Sequence, residues 1–163
     1  MVKLASSSLD GIALDAWRSY LQSHASILRE LDAELVAEHE MTTRDYEVLL
    51  YLAQAPDRRL PMSKLAASTM LTRSGITRLV DGLVSAGLIE RVACPTDARV
   101  SYAELTDPGH QKLREAGCTH IASVRRLFVE YYSEAELEQL ASLLGRLPGA
   151  NRGGACSVEE EHA

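Results

Sequence analysis

Between positions 73 and 78 the chain carries Arg73, Ser74, Thr77 and Arg78, side chains whose donors and acceptors suit the edges and phosphates of a duplex nucleic acid. Arginine can present paired donors to guanine, and serine and threonine can donate or accept. On the first turns of a helix they could enter a major groove about 12 Å wide. Gly75 among them permits close backbone approach, although glycine costs a helix about 1 kcal/mol relative to alanine. A plainer reading has Arg73 and Arg78 only solubilising an exposed face, but groove contact is preferred because hairpin-like sequence follows directly. Arg99, near the polar tip of that hairpin, suits a minor groove, where negative potential is concentrated. Asp97 projects to the same side and either orients an arginine through paired hydrogen bonds or only forms the turn. Lys64, slightly upstream, suits a phosphate contact that sets register rather than sequence.

Other chemistry finds little support. There is no phosphate-cradling glycine loop, no nucleophile elbow and no HExxH motif, so no catalytic residue and no cofactor are expected. His110 and His120 stand ten positions apart, which is not the adjacent-turn spacing of metal ligands, and no metal is expected. The three cysteines, Cys94, Cys118 and Cys156, form no CxxC pair. We expect Cys118 to pack as a small hydrophobe, Cys94 to sit in a loop and Cys156 in a tail, in preference to redox sensing. Trp17, His24 and Tyr46 could line a small-molecule pocket, yet all three fall on apolar stripes, and packing is the preferred reading.

A net charge of −6 over 163 residues looks wrong for binding a polyanion until the charges are located. From Arg58 to Tyr102 seven basic residues face three acidic ones, a local excess of four that leaves −10 for the remainder. A basic centre between acidic flanks is the layout of an oriented nucleic-acid binder. Residues 1–8 carry one lysine and no long apolar run, and no stretch approaches bilayer length, so no membrane association and a cytoplasmic location are expected.

The positioning elements follow from periodicity. From about Leu9 to Glu38, Leu14, Trp17, Leu21, His24, Leu28, Leu31 and Leu35 recur in steps of 3 and 4, the spacing of a helix lying along another helix. Periodicity alone leaves open whether that partner is a second subunit or the subunit's own core. Hydroxyls at Thr42 and Thr43 can start a second helix, which Pro56 stops. A short extended piece at Leu60 and Pro61 leads to a brief helix over 63–68. Thr72 caps the next, whose stripe is Ile76, Leu79, Val80 and Leu83, and Gly87 ends it. These two make a helix-turn-helix. Period-two runs over 88–93 and 100–105 then read as a hairpin. Thr106 caps a long helix with Leu113, Gly117, Ile121, Val124, Phe128 and Tyr131 on one stripe. The capping box Ser133-x-x-Glu136 opens a last helix through Leu147, stopped by Pro148 and Gly149.

The segment LTRSGITRLVDGLVSAGLIER at 71–91, with Asp97-x-Arg99 and then Leu105-Thr106, resembles the MarR family of bacterial regulators over residues of about 10 to 148. The resemblance implies a mainly α fold: a winged helix-turn-helix with long N- and C-terminal dimerisation helices and one small β-hairpin wing. It divides the chain into an N-terminal dimerisation helix at 9–40, a DNA-binding region at 41–106 and C-terminal dimerisation helices at 107–148, while the small, polar and acidic composition of the end predicts a disordered tail at 149–163. It further implies a homodimer that binds double-stranded DNA at a palindromic operator, with Arg99 entering the minor groove and repression relieved by a small-molecule effector. Peroxide-sensing members carry a cysteine near the start of the first helix, and this chain has none there. The competing reading is a winged-helix protein-interaction module that never meets DNA.

Overall fold

The computed structural model describes residues 9–69, 71–93 and 100–148. Among the described residues six α-helices and three strands follow one another: α1 (Gly11–His39), α2 (Thr43–Gln54), β1 (Arg59–Pro61), α3 (Met62–Ser68), α4 (Arg73–Ser85), β2 (Ile89–Ala93), β3 (Ser101–Leu105), α5 (Asp107–Leu127) and α6 (Glu134–Leu144). Asp97, Arg99, Cys94 and Cys156, with residues 149–163, lie outside the described residues.

The starts of α2, α4, α5 and α6 are set by side chains that satisfy otherwise unpaired backbone N–H groups. The hydroxyls of Thr72 and Thr106 accept from Gly75 N at 3.1 Å and Gly109 N at 3.0 Å. Thr42 with Asp45, and Ser133 with Glu136, form reciprocal capping boxes. Both bonds from Ser133 favour the charged Glu136, and its carboxyl titrates below the usual 4.5. Gly87 takes the left-handed backbone that ends α4, with φ 73°.

The core forms around α2, whose Val48, Leu49 and Leu52 are fully buried. Against it pack Leu35, Leu65, Ile76, Val80, Leu83, Ile89, Ala103, Leu105, Leu113 and Ala116. The apolar stripe of α4 is thus turned inward, which leaves its other face in solvent. Thr69, between α3 and α4, is buried with its hydroxyl donating to Leu65 O at 2.9 Å, so the tight link spends its polar group internally.

The expected hairpin forms, and the extended piece at Leu60 and Pro61 joins it as β1, with Leu60 opposite Ala103, in a three-stranded antiparallel sheet. Several other expectations need correction. Only the C-terminal part of the α1 stripe, Leu31 and Leu35, is buried, while Leu21 and Leu28 stay exposed and Trp17 is 50% accessible. Packing within the subunit therefore does not account for Trp17 or His24. The long helix after Thr106 stops at Leu127, and its buried face is Leu113, Ala116, Gly117 and Ser123 rather than a stripe through Ile121 and Tyr131. Phe128 leaves the helical region and its ring meets Tyr132 at 5.5 Å. Aromatic side chains of modest helix propensity here pack on one another instead of prolonging the helix. The last helix ends at Leu144, beyond which the backbone tightens into bonds such as Leu147 N to Leu144 O at 3.0 Å. Cys118 does not pack as a small hydrophobe but lies on the exposed face of α5. No helix among the described residues is long and apolar enough to cross a membrane.

Candidate nucleic-acid interface

The exposed face of α4 holds the groups that sequence spacing brings together. Thr72, Arg73, Ser74, Thr77, Arg78 and Asp81 line one open concavity. The steps from 74 to 77, 78 and 81 follow a single face of a 3.6-residue helix. Ile76 and Val80, buried at 1% and 0% exposure, anchor the opposite face and fix the rotation of α4. Because the cap at Thr72 lies outside the helix, the polar face begins at its first turn, where unpaired N–H groups and the positive end of the helix dipole favour anions.

Hydrogen bonding leaves part of this face free to act. The Thr77 hydroxyl donates to Arg73 O at 2.8 Å, so outward it offers lone pairs. The Thr72 and Ser74 hydroxyls lie 3.2 Å apart. Among the described residues neither Arg73 nor Arg78 forms an ion pair, and neither does Lys64, which sits exposed on α3. Three other cations of the basic centre, all among the described residues, are engaged. Arg58 pairs with Asp107 at 3.1 Å, Arg59 with Asp57 at 3.5 Å and Arg91 with Asp81 at 2.7 Å. Arg59 also lies over the Tyr102 ring, 5.7 Å from its centroid. The local charge excess thus resolves into a few cations on α3 and α4 that no described carboxylate neutralises.

Sequence reasoning missed Thr72 and Asp81 as lining residues, and with them the bridge from β2. The helical spacing from Arg78 to Asp81 was the available signal. It also missed Arg44, which holds Glu47 at 3.0 Å and the Thr69 carbonyl at 3.4 Å and so ties α2 to the turn before α4. Of the three suggested pocket residues, Trp17 and His24 share one exposed face of α1 and Tyr46 packs elsewhere. Trp17 and His24 belong to an exposed ladder of rings with Tyr20 between them, at centroid distances of 6.1 and 6.0 Å. Tyr46 is buried against the His120 ring at 4.7 Å. Burial lowers the His120 pKa from its usual 6.5, and its Nδ1 has no hydrogen-bond partner among the described residues. No group of three or more histidine, cysteine or carboxylate side chains among the described residues could hold a metal ion.

Comparison with known proteins agrees with this geometry. A sequence profile of the MarR family matches residues 39–100. AbsC, a MarR family transcriptional regulator from Streptomyces coelicolor, is 30% identical and superposes with a TM-score of 0.80 over 85% of this chain and 93% of its own. Sco3205, a MarR family regulator from the same organism solved in complex with DNA, is 29% identical with a TM-score of 0.81, over 90% and 95% of the two chains. The HTH-type transcriptional repressor YetL of Bacillus subtilis (strain 168) is 31% identical over 63% of this chain, and the match spans 60% of that protein. On the strength of the winged fold and of this full-length likeness, the chain belongs to the MarR family of transcriptional regulators.

Proposed function

We propose that the protein binds duplex DNA as a homodimer at a palindromic operator and acts in the cytoplasm as a repressor responsive to a small molecule. The observation that carries this reading is the set Arg73, Ser74, Thr77 and Arg78 on one open face of α4, its two guanidinium groups unpaired among the described residues. In the complex α4 enters the major groove, Arg73 and Arg78 reach base edges or phosphates, and Lys64 holds backbone. Arg99 enters the minor groove, and Asp97 belongs to the same DNA-binding set. Residues 41–106 then read DNA, while 9–40 and 107–148 hold two copies a helical turn apart. Exposed Trp17, Leu21, Leu28, Tyr131, Leu143 and Leu147 support that assembly, since a lone subunit leaves them all in water.

The test is a titration of duplex DNA at about 50 and about 200 mM salt, across which phosphate-dominated binding falls steeply. Arg73→Ala and Arg78→Ala should each weaken binding, by about tenfold for a lost base contact of about 1.4 kcal/mol. Absence of measurable, salt-dependent affinity would favour the protein-interaction module instead.

A further inference from the structure

The α4 concavity contains one carboxylate among its described lining residues, Asp81. A bare acid in a face that must meet phosphates is unfavourable, and the structure provides a counter-charge from another element. Arg91 lies two residues beyond Ile89 on β2, and so on the same side of the strand. Ile89 is buried at 1% exposure, which makes that side the one facing the helices. At position 91 the strand has run past the core, so the side chain reaches across to α4. Its guanidinium donates to Asp81 Oδ1 at 2.7 Å and lies 3.5 Å from the Thr77 carbonyl.

We propose that Arg91 is a positioning residue for DNA binding, which masks Asp81 so that Arg73 and Arg78 present an uncompensated positive face; this rests on the DNA-binding reading above. The pair is exposed, with side-chain accessibilities of 34% for Arg91 and 60% for Asp81. Ion pairs of that kind contribute little to folding, so the fold is not what the contact serves. Without Arg91, Asp81 acts against binding in two ways. It repels phosphates directly, and it becomes available to Arg78, three residues earlier on the same helical face. Arg91 therefore works through Asp81 rather than through the nucleic acid.

The experiment uses the full chain and a fluorescent random-sequence duplex of about 30 base pairs, long enough for two half-sites, read by anisotropy at about 50 and about 200 mM NaCl. Arg91→Ala should bind about tenfold more weakly at the lower salt, a rim-charge effect that fades as salt rises. Asp81→Asn alone should bind at least as well as the parent. The double variant should return to within about twofold of Asp81→Asn, because no carboxylate is left to mask. Arg91→Gln, alone and with Asp81→Asn, gives the same comparison should the alanine variant fail to fold. A double variant as weak as the Arg91 single variant would mean that Arg91 touches DNA or sets wing geometry, and would overturn the proposal. Unchanged binding by Arg91→Ala would overturn it equally. Failure of the parent protein to bind the duplex at all would instead remove the DNA-binding reading, and this proposal with it.

Discussion

Gly109, the third residue of α5, sits where the start of that helix meets the end of the α4 turn. A Cβ added there would lie 2.0 Å from the Leu88 carbonyl oxygen and 2.8 Å from Leu105 Cδ1. Ordinary contact would require roughly an ångström or more of movement. The oxygen cannot easily give way, because it accepts from Thr106 N at 3.2 Å while Leu88 N is tied to Leu83 O at 3.0 Å. Overpacking of this kind costs about 1–3 kcal/mol, and a backbone obstacle puts it at the upper end. Alanine returns about 1 kcal/mol of helix propensity, leaving Gly109→Ala destabilised by about 2 kcal/mol. Gly82, inside α4, is the matched control, since nothing lies within 4 Å of its added Cβ. There the propensity gain of about 1 kcal/mol stands unopposed. For 163 residues, each kcal/mol moves the midpoint by about 2–4 °C. Calorimetry at one fixed protein concentration, required because association adds to apparent stability, should find Gly82→Ala about 3 °C above the parent and Gly109→Ala about 6 °C below it. A Gly109→Ala variant melting at or above the parent would refute the steric reasoning.

Two further outcomes follow from local chemistry. Thr72→Ala removes the acceptor for Gly75 N and should cost about 1 kcal/mol of stability, as lost N-caps do, measured by denaturant unfolding; Thr72→Ser should restore it, and a Ser variant no better than Ala would contradict the capping role. Burial pushes the His120 pKa below its usual 6.5, so its contribution is intact above that value and lost as pH falls, when the unfolded chain takes the proton first. His120→Phe, which keeps a ring against Tyr46, should flatten the stability profile from about pH 7 to about pH 5; a profile parallel to the parent's would assign the slope to other groups.

What the sequence made legible was whatever depends on neighbours in the chain. Thr72, Thr106 and Ser133 cap helices because a cap needs only the next turn, and Gly87 ends α4 because a left-handed residue needs only its own backbone. The face of α4 was readable for the same reason, since Ile76 and Val80 turn one side inward and so turn Arg73, Thr77 and Arg78 out. Partners distant in sequence were not legible. The bridge from Arg91 to Asp81 depends on the angle at which β2 leaves the core, and β1 joins the sheet only because Leu60 comes to lie opposite Ala103. Periodicity also overran at Phe128, where apolar residues continued at helical spacing but found a better contact in Tyr132.

The α1 stripe shows how far a periodic pattern can carry an argument. Its C-terminal part belongs to the subunit: Leu31 and Leu35 are buried, and Asp32 accepts from Thr43 N at 2.8 Å, which extends the cap of α2 from outside. A polar seam then fastens the same part to α5. Thr119 donates to Glu38 at 3.0 Å and meets His39 at 2.8 Å, while Ser123 and Arg126 both bond to Glu34. Among the described residues the N-terminal part has no such seam, and its Ile12, Trp17, Leu21 and Leu28 are exposed. One helix thus has two differently satisfied ends, one bonded to the body that carries α4 and one whose apolar residues are exposed, which the proposed homodimer would cover. In that homodimer the rise of about 1.5 Å per residue along α1 makes the helix a lever. A small change in how the copies cross would then become a larger change in the distance between the two α4 faces, which is the distance a palindromic duplex measures.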